Sequence, residues 1–242
     1  MSQIKDKQDG KHYWRYDTDC FPDINADYFS VEFWQATHAI IGQETGRGTT
    51  LFVQHNDTQL VLRHYLRGGL MRHLSHDQYL FQQLETTRSF AEFSILQLLH
   101  ERGFAVPKPA AAQVVRQGFR YRADLLTHKI PDAQDLVRVL QHPQDADFYQ
   151  SLGRFIANFH QHGVYHADLN IQNILVDRSD RFWLIDFDRA RLLKPERRWQ
   201  QNNLKRLKRS FEKECVRHTI HWCEADWNTF SESYQRTLEV SS

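Results

Sequence analysis

Two linked segments restrict this chain more than any other feature. They are His166-Ala167-Asp168-Leu169-Asn170-Ile171-Gln172-Asn173-Ile174-Leu175-Val176 and, shortly after, Trp183-Leu184-Ile185-Asp186-Phe187-Asp188. Ile174 to Val176 and Phe182 to Ile185 are apolar runs on either side of Ser179-Asp180, so they read as a β-hairpin. With residue 175 facing 184, residue 173 faces 186, and Asn173 meets Asp186 at the open end. An amide oxygen beside a carboxylate suits Mg²⁺, a hard cation that keeps part of its water and usually also binds substrate phosphates. Asp168, five residues upstream of Asn173, lies on the same loop and is placed to face a third component.

The rest of the chain reads as a frame for this loop. Leu51-Phe52-Val53 and Leu60-Val61-Leu62 flank His55-Asn56-Asp57-Thr58 as one hairpin, and Gln113-Val114-Val115 and Phe119-Arg120-Tyr121 flank Gln117-Gly118 as a second. Between them, Ser89 and Glu92 fit a capping box, and Phe93, Leu96 and Leu99 follow at helical spacing up to a stop at Gly103. Beyond Lys129-Ile130-Pro131 the period changes. Leu152, Phe155, Ile156 and Phe159 form an i, i+3, i+4, i+7 stripe ending at His162-Gly163. Leu204, Leu207 and Phe211 form another stripe, and Val216, Ile220, Cys223 and Trp227 a third. The expected fold is therefore α+β, with a strand-rich first lobe over residues 1–130 and a helical second lobe over 131–242.

Composition excludes several alternatives. The 242 residues carry 31 Lys plus Arg against 30 Asp plus Glu, so no global field recruits nucleic acid. No apolar run approaches the ~20 residues that a membrane helix needs, and the polar first ten residues lack the apolar core of a secretory signal. Three cysteines, Cys20, Cys215 and Cys223, without a C-x-x-C, suit a reducing compartment. Cys215, His218, His221 and Cys223 do not share one helix face, which argues against zinc. The charge is uneven locally: residues 189–217 hold eleven Lys/Arg and three Asp/Glu. Such a segment either faces water or meets an acidic partner, and its apolar stripe either packs on the lobe or lies at a membrane interface.

The paired segments resemble the protein-kinase-like superfamily, whose catalytic loop reads H-R-D-L-x-x-x-N and whose metal aspartate lies in D-F-G. The resemblance implies a two-lobed fold with an antiparallel-sheet N-lobe and a reduced helical C-lobe, with ATP and Mg²⁺ as cofactors. It gives Asp168 the attacking hydroxyl, and Asn173 and Asp186 the metal on the ATP phosphates. Gly46-Arg47-Gly48 is similar to a shortened glycine-rich loop, which assigns Gly46 and Gly48 to the phosphates. Leu60-Val61-Leu62-Arg63 is similar to V-A-I-K with Arg63 in place of lysine, and Glu92 is either its partner or part of the local capping box. His166 is read as a support packed on Phe187.

Departures narrow the acceptor. Ala167 replaces the arginine that grips a phosphorylated activation loop, Asp188 replaces the glycine of D-F-G, and only 56 residues follow Asp186. Together with Leu62 to Gly69, Val106-Pro107-Lys108-Pro109 and Asn203 to Ser210, these features resemble the bacterial lipopolysaccharide kinase family, in particular its kinases of 3-deoxy-D-manno-octulosonic acid (Kdo). That resemblance implies transfer of the ATP γ-phosphate to a Kdo hydroxyl, O4, on a lipid A precursor. It also implies a peripheral position on the anionic cytoplasmic face of the inner membrane. Arg67 and Arg72 form a smaller basic cluster. A compact RIO-type protein kinase and a nucleotide-binding scaffold without turnover are the competing readings.

Overall fold

The computed structural model describes residues 3–45, 49–66 and 77–240. Gly46, Gly48, Arg67 and Arg72 lie outside the described residues. The chain divides into two compact units: residues 1–102 with 107–129, and residues 103–106 with 130–242.

The first unit is built on an antiparallel sheet of eight strands: β1 (Ile4–Asp9), β2 (His12–Asp17), β3 (Ile40–Thr45), β4 (Thr49–His55), β5 (Thr58–His64), β6 (Tyr79–Leu80), β7 (Pro109–Gln117) and β8 (Arg120–His128). Their order is β1-β2-β7-β8-β5-β4-β3, with β6 pairing β8 beside β5. Both expected hairpins form. Leu51 faces Leu62 and Val53 faces Leu60 in β4–β5, and Val114 faces Ala123 in β7–β8. Leu51, Val53, Leu60 and Leu62 of the first hairpin and Ala111 and Leu126 of the second enter a core shared with Trp14, Phe21, Ile24 and Trp34, the last from the short helix α1 (Val31–Ala36). Helix α2 (Arg88–Glu101) packs on β7 and β8 through Phe90, Phe93, Leu96 and Leu99, all buried. It ends where Gly103 takes φ +80°, a backbone conformation that glycine adopts without Cβ strain.

The start of α2 differs from the capping-box expectation. Thr87 is the N-cap, and Ser89 lies inside the helix, its hydroxyl donating 2.8 Å to the Gln113 carbonyl of β7. Glu92 is 3% exposed and turns away from the helix end to other partners. Tertiary hydrogen bonds outcompete the local motif because both side chains are buried.

The second unit contains α3 (Leu136–Val139), α4 (Ala146–Gln161), α5 (Arg197–His218) and α6 (Glu224–Val240), with short strands β9 (Gln134–Asp135), β10 (Val164–Tyr165), β11 (Ile174–Val176), β12 (Phe182–Leu184) and β13 (Arg191–Leu192). Helix α4 starts at Asp145, whose carboxylate accepts the Phe148 N–H, and buries Leu152, Ile156 and Phe159 as expected. It packs closely on α6.

The third apolar stripe does not form one helix. Helix α5 ends at His218, Thr219 adopts a left-handed backbone at φ 54°, and α6 begins only at Glu224. Val216 is 88% exposed and Cys223 is exposed, while Ile220 is buried in the connection. The other stripe is settled too: Leu207 and Phe211 are 0% and 1% exposed, so the apolar face of α5 packs inside the protein. Among the described residues no helix is long and apolar enough to cross a membrane.

Gly153 marks the closest approach of α4 and α6. A Cβ there would lie 2.4 Å from the Phe230 carbonyl oxygen and 3.0 Å from the Tyr234 nitrogen. Alanine is the better helix former, but backbone atoms cannot rotate out of its way. Gly153→Ala is expected to lower stability by about 1–3 kcal/mol, measured by urea unfolding, despite that propensity gain.

Candidate active site

The candidate loop is organised around one buried ring. His166 is 2% exposed; its Nδ1 accepts the Asp168 N–H at 3.3 Å and its Nε2 lies 3.0 Å from the Ile185 carbonyl. This pattern requires the proton on Nε2 and a lone pair on Nδ1, which is the neutral imidazole. Burial holds the His166 pKa below its usual value, in agreement. The ring also meets Phe187 edge-on at 5.1 Å, the support expected of it. One side chain thus ties the backbone at Asp168 to the backbone just before Asp186.

The loop between them is fixed by side-chain caps. Asn170 Oδ1 accepts the N–H groups of Gln172 and Asn173 and starts a 3₁₀ turn over Ile171–Asn173. Asn173 Nδ2 then donates to the Asp168 carbonyl at 2.8 Å. With its nitrogen committed, Asn173 has its Oδ1 left for a cation, so the donor chemistry fits Mg²⁺ with Asp186 as the anionic ligand. Mg²⁺ held by one amide and one carboxylate would keep water and substrate phosphate in the rest of its shell.

The hairpin forms, but one residue out of the expected register. Ile174 faces Leu184, Leu175 faces Trp183 and Val176 faces Phe182. Asn173 therefore lies opposite Ile185, whose N–H donates to the Asn173 carbonyl at 3.0 Å, and Asp186 comes one step later. The cause is the turn. Asp177 Oδ1 accepts the N–H groups of Ser179 and Arg181, and Asp180 takes φ 57°, which fixes the connection over 177–181 and sets the register. Asp186 itself has φ 62° and Arg189 φ 60°, so the chain bends sharply on either side of Phe187-Asp188.

Helix α5 grips this loop with a polar stripe. Asn203 is 2% exposed and bonds both backbone groups of His166, accepting its N–H at 3.3 Å and donating to its carbonyl at 3.1 Å. Arg206 Nη1 lies 3.3 Å from Asp168 Oδ1, Ser210 Oγ accepts the Ile171 N–H at 3.1 Å, and Gln172 reaches Glu214 at 3.5 Å. Positions 203, 206, 210 and 214 recur at helical spacing. Spacing alone gives none of the four a role; the only signal for them is a run of polar residues beside the apolar stripe.

In the first unit Arg63 of β5 pairs with Glu92 of α2, which settles the open choice for Glu92. Tyr65 Oη also donates to Glu92 at 2.5 Å, and the Arg63 guanidinium lies 4.7 Å from the Tyr65 ring centroid. Tyr65 is buried and its pKa is pushed well above 10, chiefly by burial and then by the Glu92 charge, so it acts as a donor. Arg63 is thereby aimed by two buried partners.

An antiparallel sheet with α2 packed on it, followed by a helical unit carrying this loop and hairpin, defines a kinase-like fold. The chain resembles the Rio2 kinase of Chaetomium thermophilum, solved as an ADP/Mg²⁺-phosphoaspartate complex, at a TM-score of 0.50 and 17% identity over 86% of this chain and 76% of that one. This likeness concerns the fold alone. Residues 31–234 match the lipopolysaccharide kinase (Kdo/WaaP) family. A protein of Vibrio vulnificus (strain CMCP6) named 3-deoxy-D-manno-octulosonic acid kinase is 45% identical over 96% of this chain and 98% of its own length. A protein of the same name from Haemophilus influenzae (strain PittGG) is 42% identical over 95% and 98%. The chain belongs to the lipopolysaccharide kinase (Kdo/WaaP) family, and it is a phosphotransferase with an alcohol group as acceptor.

Burial also makes an acid limit. His160 in α4 and His128 in β8 are held at a pKa of about 4, and His166 is shifted in the same direction, each mainly by burial. The unfolded histidines take up protons near pH 6.5 and the folded ones do not, so between pH 6.5 and about 4 the unfolded chain binds more protons. Stability is expected to be fully present above pH 6.5 and to fall as the pH drops towards 4, with a slope exceeding one proton in denaturant titrations. A flat profile across that window would contradict the neutral assignment of these rings.

Proposed function

We propose that this protein transfers the γ-phosphate of ATP to a Kdo hydroxyl, O4, on a lipid A precursor during inner-core lipopolysaccharide synthesis. The observation that carries the proposal is the caged loop, in which one buried imidazole ties the Asp168 N–H to the Ile185 carbonyl beside Asp186, while the Asn173 side-chain amide donates to the Asp168 carbonyl. Asp168 is half exposed at 52% and accepts the hydrogen bond of the incoming alcohol. As the alcohol oxygen forms its bond to phosphorus and the bond to ADP breaks, the hydroxyl proton passes to the Asp168 carboxylate. Asn173 and Asp186 would hold Mg²⁺, which neutralises charge on the phosphates when bound. Arg63, held by Glu92 and Tyr65, is assigned to the ATP phosphates, and Gly46 and Gly48 to the loop covering them. Phosphoryl transfer asks chiefly for positioning and charge neutralisation, and rigid supports of this kind supply the first.

The acceptor reading rests on the relatives' names and on charge. The exposed face of α5 carries Arg197, Arg198, Lys205, Arg206, Arg209, Lys213 and Arg217. It suits a substrate bearing phosphates and a carboxylate, and an anionic leaflet on the cytoplasmic side of the inner membrane. With Leu207 and Phe211 buried, attraction to such a surface falls to the basic side chains rather than to the stripe. Membership of a kinase family disfavours the scaffold reading, and the 17% likeness to Rio2 gives no support to a peptide acceptor.

Asp168→Ala is expected to abolish labelling of Kdo-bearing lipid A precursor by radiolabelled ATP and Mg²⁺, with an unchanged circular dichroism spectrum. Near-wild-type labelling by that variant, or labelling of a basic protein in preference to the glycolipid, would refute the assignment. Mass and linkage analysis of the product tests O4 directly.

A further inference from the structure

Arg206 presents a cation directly beside the candidate base. Its Nη1 reaches Asp168 Oδ1 at 3.3 Å, and both side chains are 52% exposed. The pair is neither short nor buried, and an ion pair this exposed is screened by water, so it is no anchor for the fold. Its placement is nonetheless fixed. Asn203 and Ser210, one turn away on either side, bond the backbone of His166 and Ile171, and neighbouring Leu207 is fully buried. A rigid helix thus delivers a half-solvated guanidinium to the point where the acceptor must arrive. One nitrogen contacts Asp168, and the fork retains further N–H donors.

We propose that Arg206 is the specificity residue that reads the carboxylate of the acceptor sugar. This rests on the acceptor proposed above, an octulosonic acid whose carboxylate and hydroxyls sit on one ring. A carboxylate matches the planar fork in two-point geometry, which an ammonium cannot reproduce. When the fork takes the substrate acid it loosens its hold on Asp168 Oδ1, leaving that oxygen for the acceptor hydroxyl. One arginine therefore links recognition of the acid to readiness of the base. A phosphate on the lipid A portion would offer the same charge from farther along the molecule, and the test separates the two sources.

The experiment compares wild type, Arg206→Ala and Arg206→Lys on three acceptors: the Kdo free acid, its methyl ester, and the free acid on a dephosphorylated lipid. In wild type, esterification is expected to reduce kcat/KM roughly 10- to 100-fold, mainly through KM, as expected for loss of a charge-assisted hydrogen bond. Arg206→Ala is expected to lose a similar factor on the free acid and to be indifferent to the ester. Arg206→Lys should recover part of the loss. An unchanged thermal midpoint in Arg206→Ala is expected from the exposure of the pair. An ester penalty that persists in full in Arg206→Ala would overturn the proposal, as would a penalty that follows lipid dephosphorylation instead. Wild-type transfer to none of the three acceptors would instead refute the function itself.

Discussion

The candidate site depends on the buried contact between α5 and the backbone of His166. Asn203 satisfies both the N–H and the carbonyl of that residue, across 37 positions of sequence, in a setting where water does not reach. An orphaned buried polar group costs about 1–3 kcal/mol, so the amide holds the strand end and the loop as one object. From there the order passes through the His166 ring to Asp168 on one side and to Ile185, next to Asp186, on the other. The candidate oxygens of the loop are thus positioned by groups that are themselves buried, Asn203 and His166.

The first unit repeats the arrangement with charges. Glu92 is almost fully buried, and a carboxylate in that position is tolerated only when paired and hydrogen-bonded. Arg63 and the Tyr65 hydroxyl supply both. The guanidinium in the strand position usually given to lysine is held by an ion pair and by the face of a tyrosine ring, to which a planar cation is better suited than an ammonium.

Much of this was legible in the sequence because it is local. Period-two and period-3.6 patterns identified the β4–β5 and β7–β8 hairpins, α2 and α4, though not the β1–β2 and β3–β4 pairs, and the spacing of Asp168, Asn173 and Asp186 identified the loop. The errors came where a distant contact or a turn decided the outcome. The 173–186 register slipped by one residue because Asp177 caps its own turn, a detail that strand periodicity does not carry. The capping box at Ser89 and Glu92 was locally sound but lost to partners on β5 and β7. The apolar stripe of α5 could equally have faced lipid; burial of Leu207 and Phe211 shows that it belongs to the core, which turns the polar edge with Asn203, Arg206 and Ser210 onto the loop. No one-dimensional pattern distinguishes a basic helix in water from one that grips a loop.

The central claim is that Asn173 and Asp186 converge on a divalent cation carried by the nucleotide. Calorimetric titration of a non-hydrolysable ATP analogue, with and without Mg²⁺, into wild type and Asp186→Asn tests it without reference to any acceptor. The account predicts that Mg²⁺ tightens nucleotide binding about tenfold or more in wild type and that Asp186→Asn, still folded, loses that enhancement while keeping its metal-free affinity. An enhancement of the same size in both proteins would contradict it.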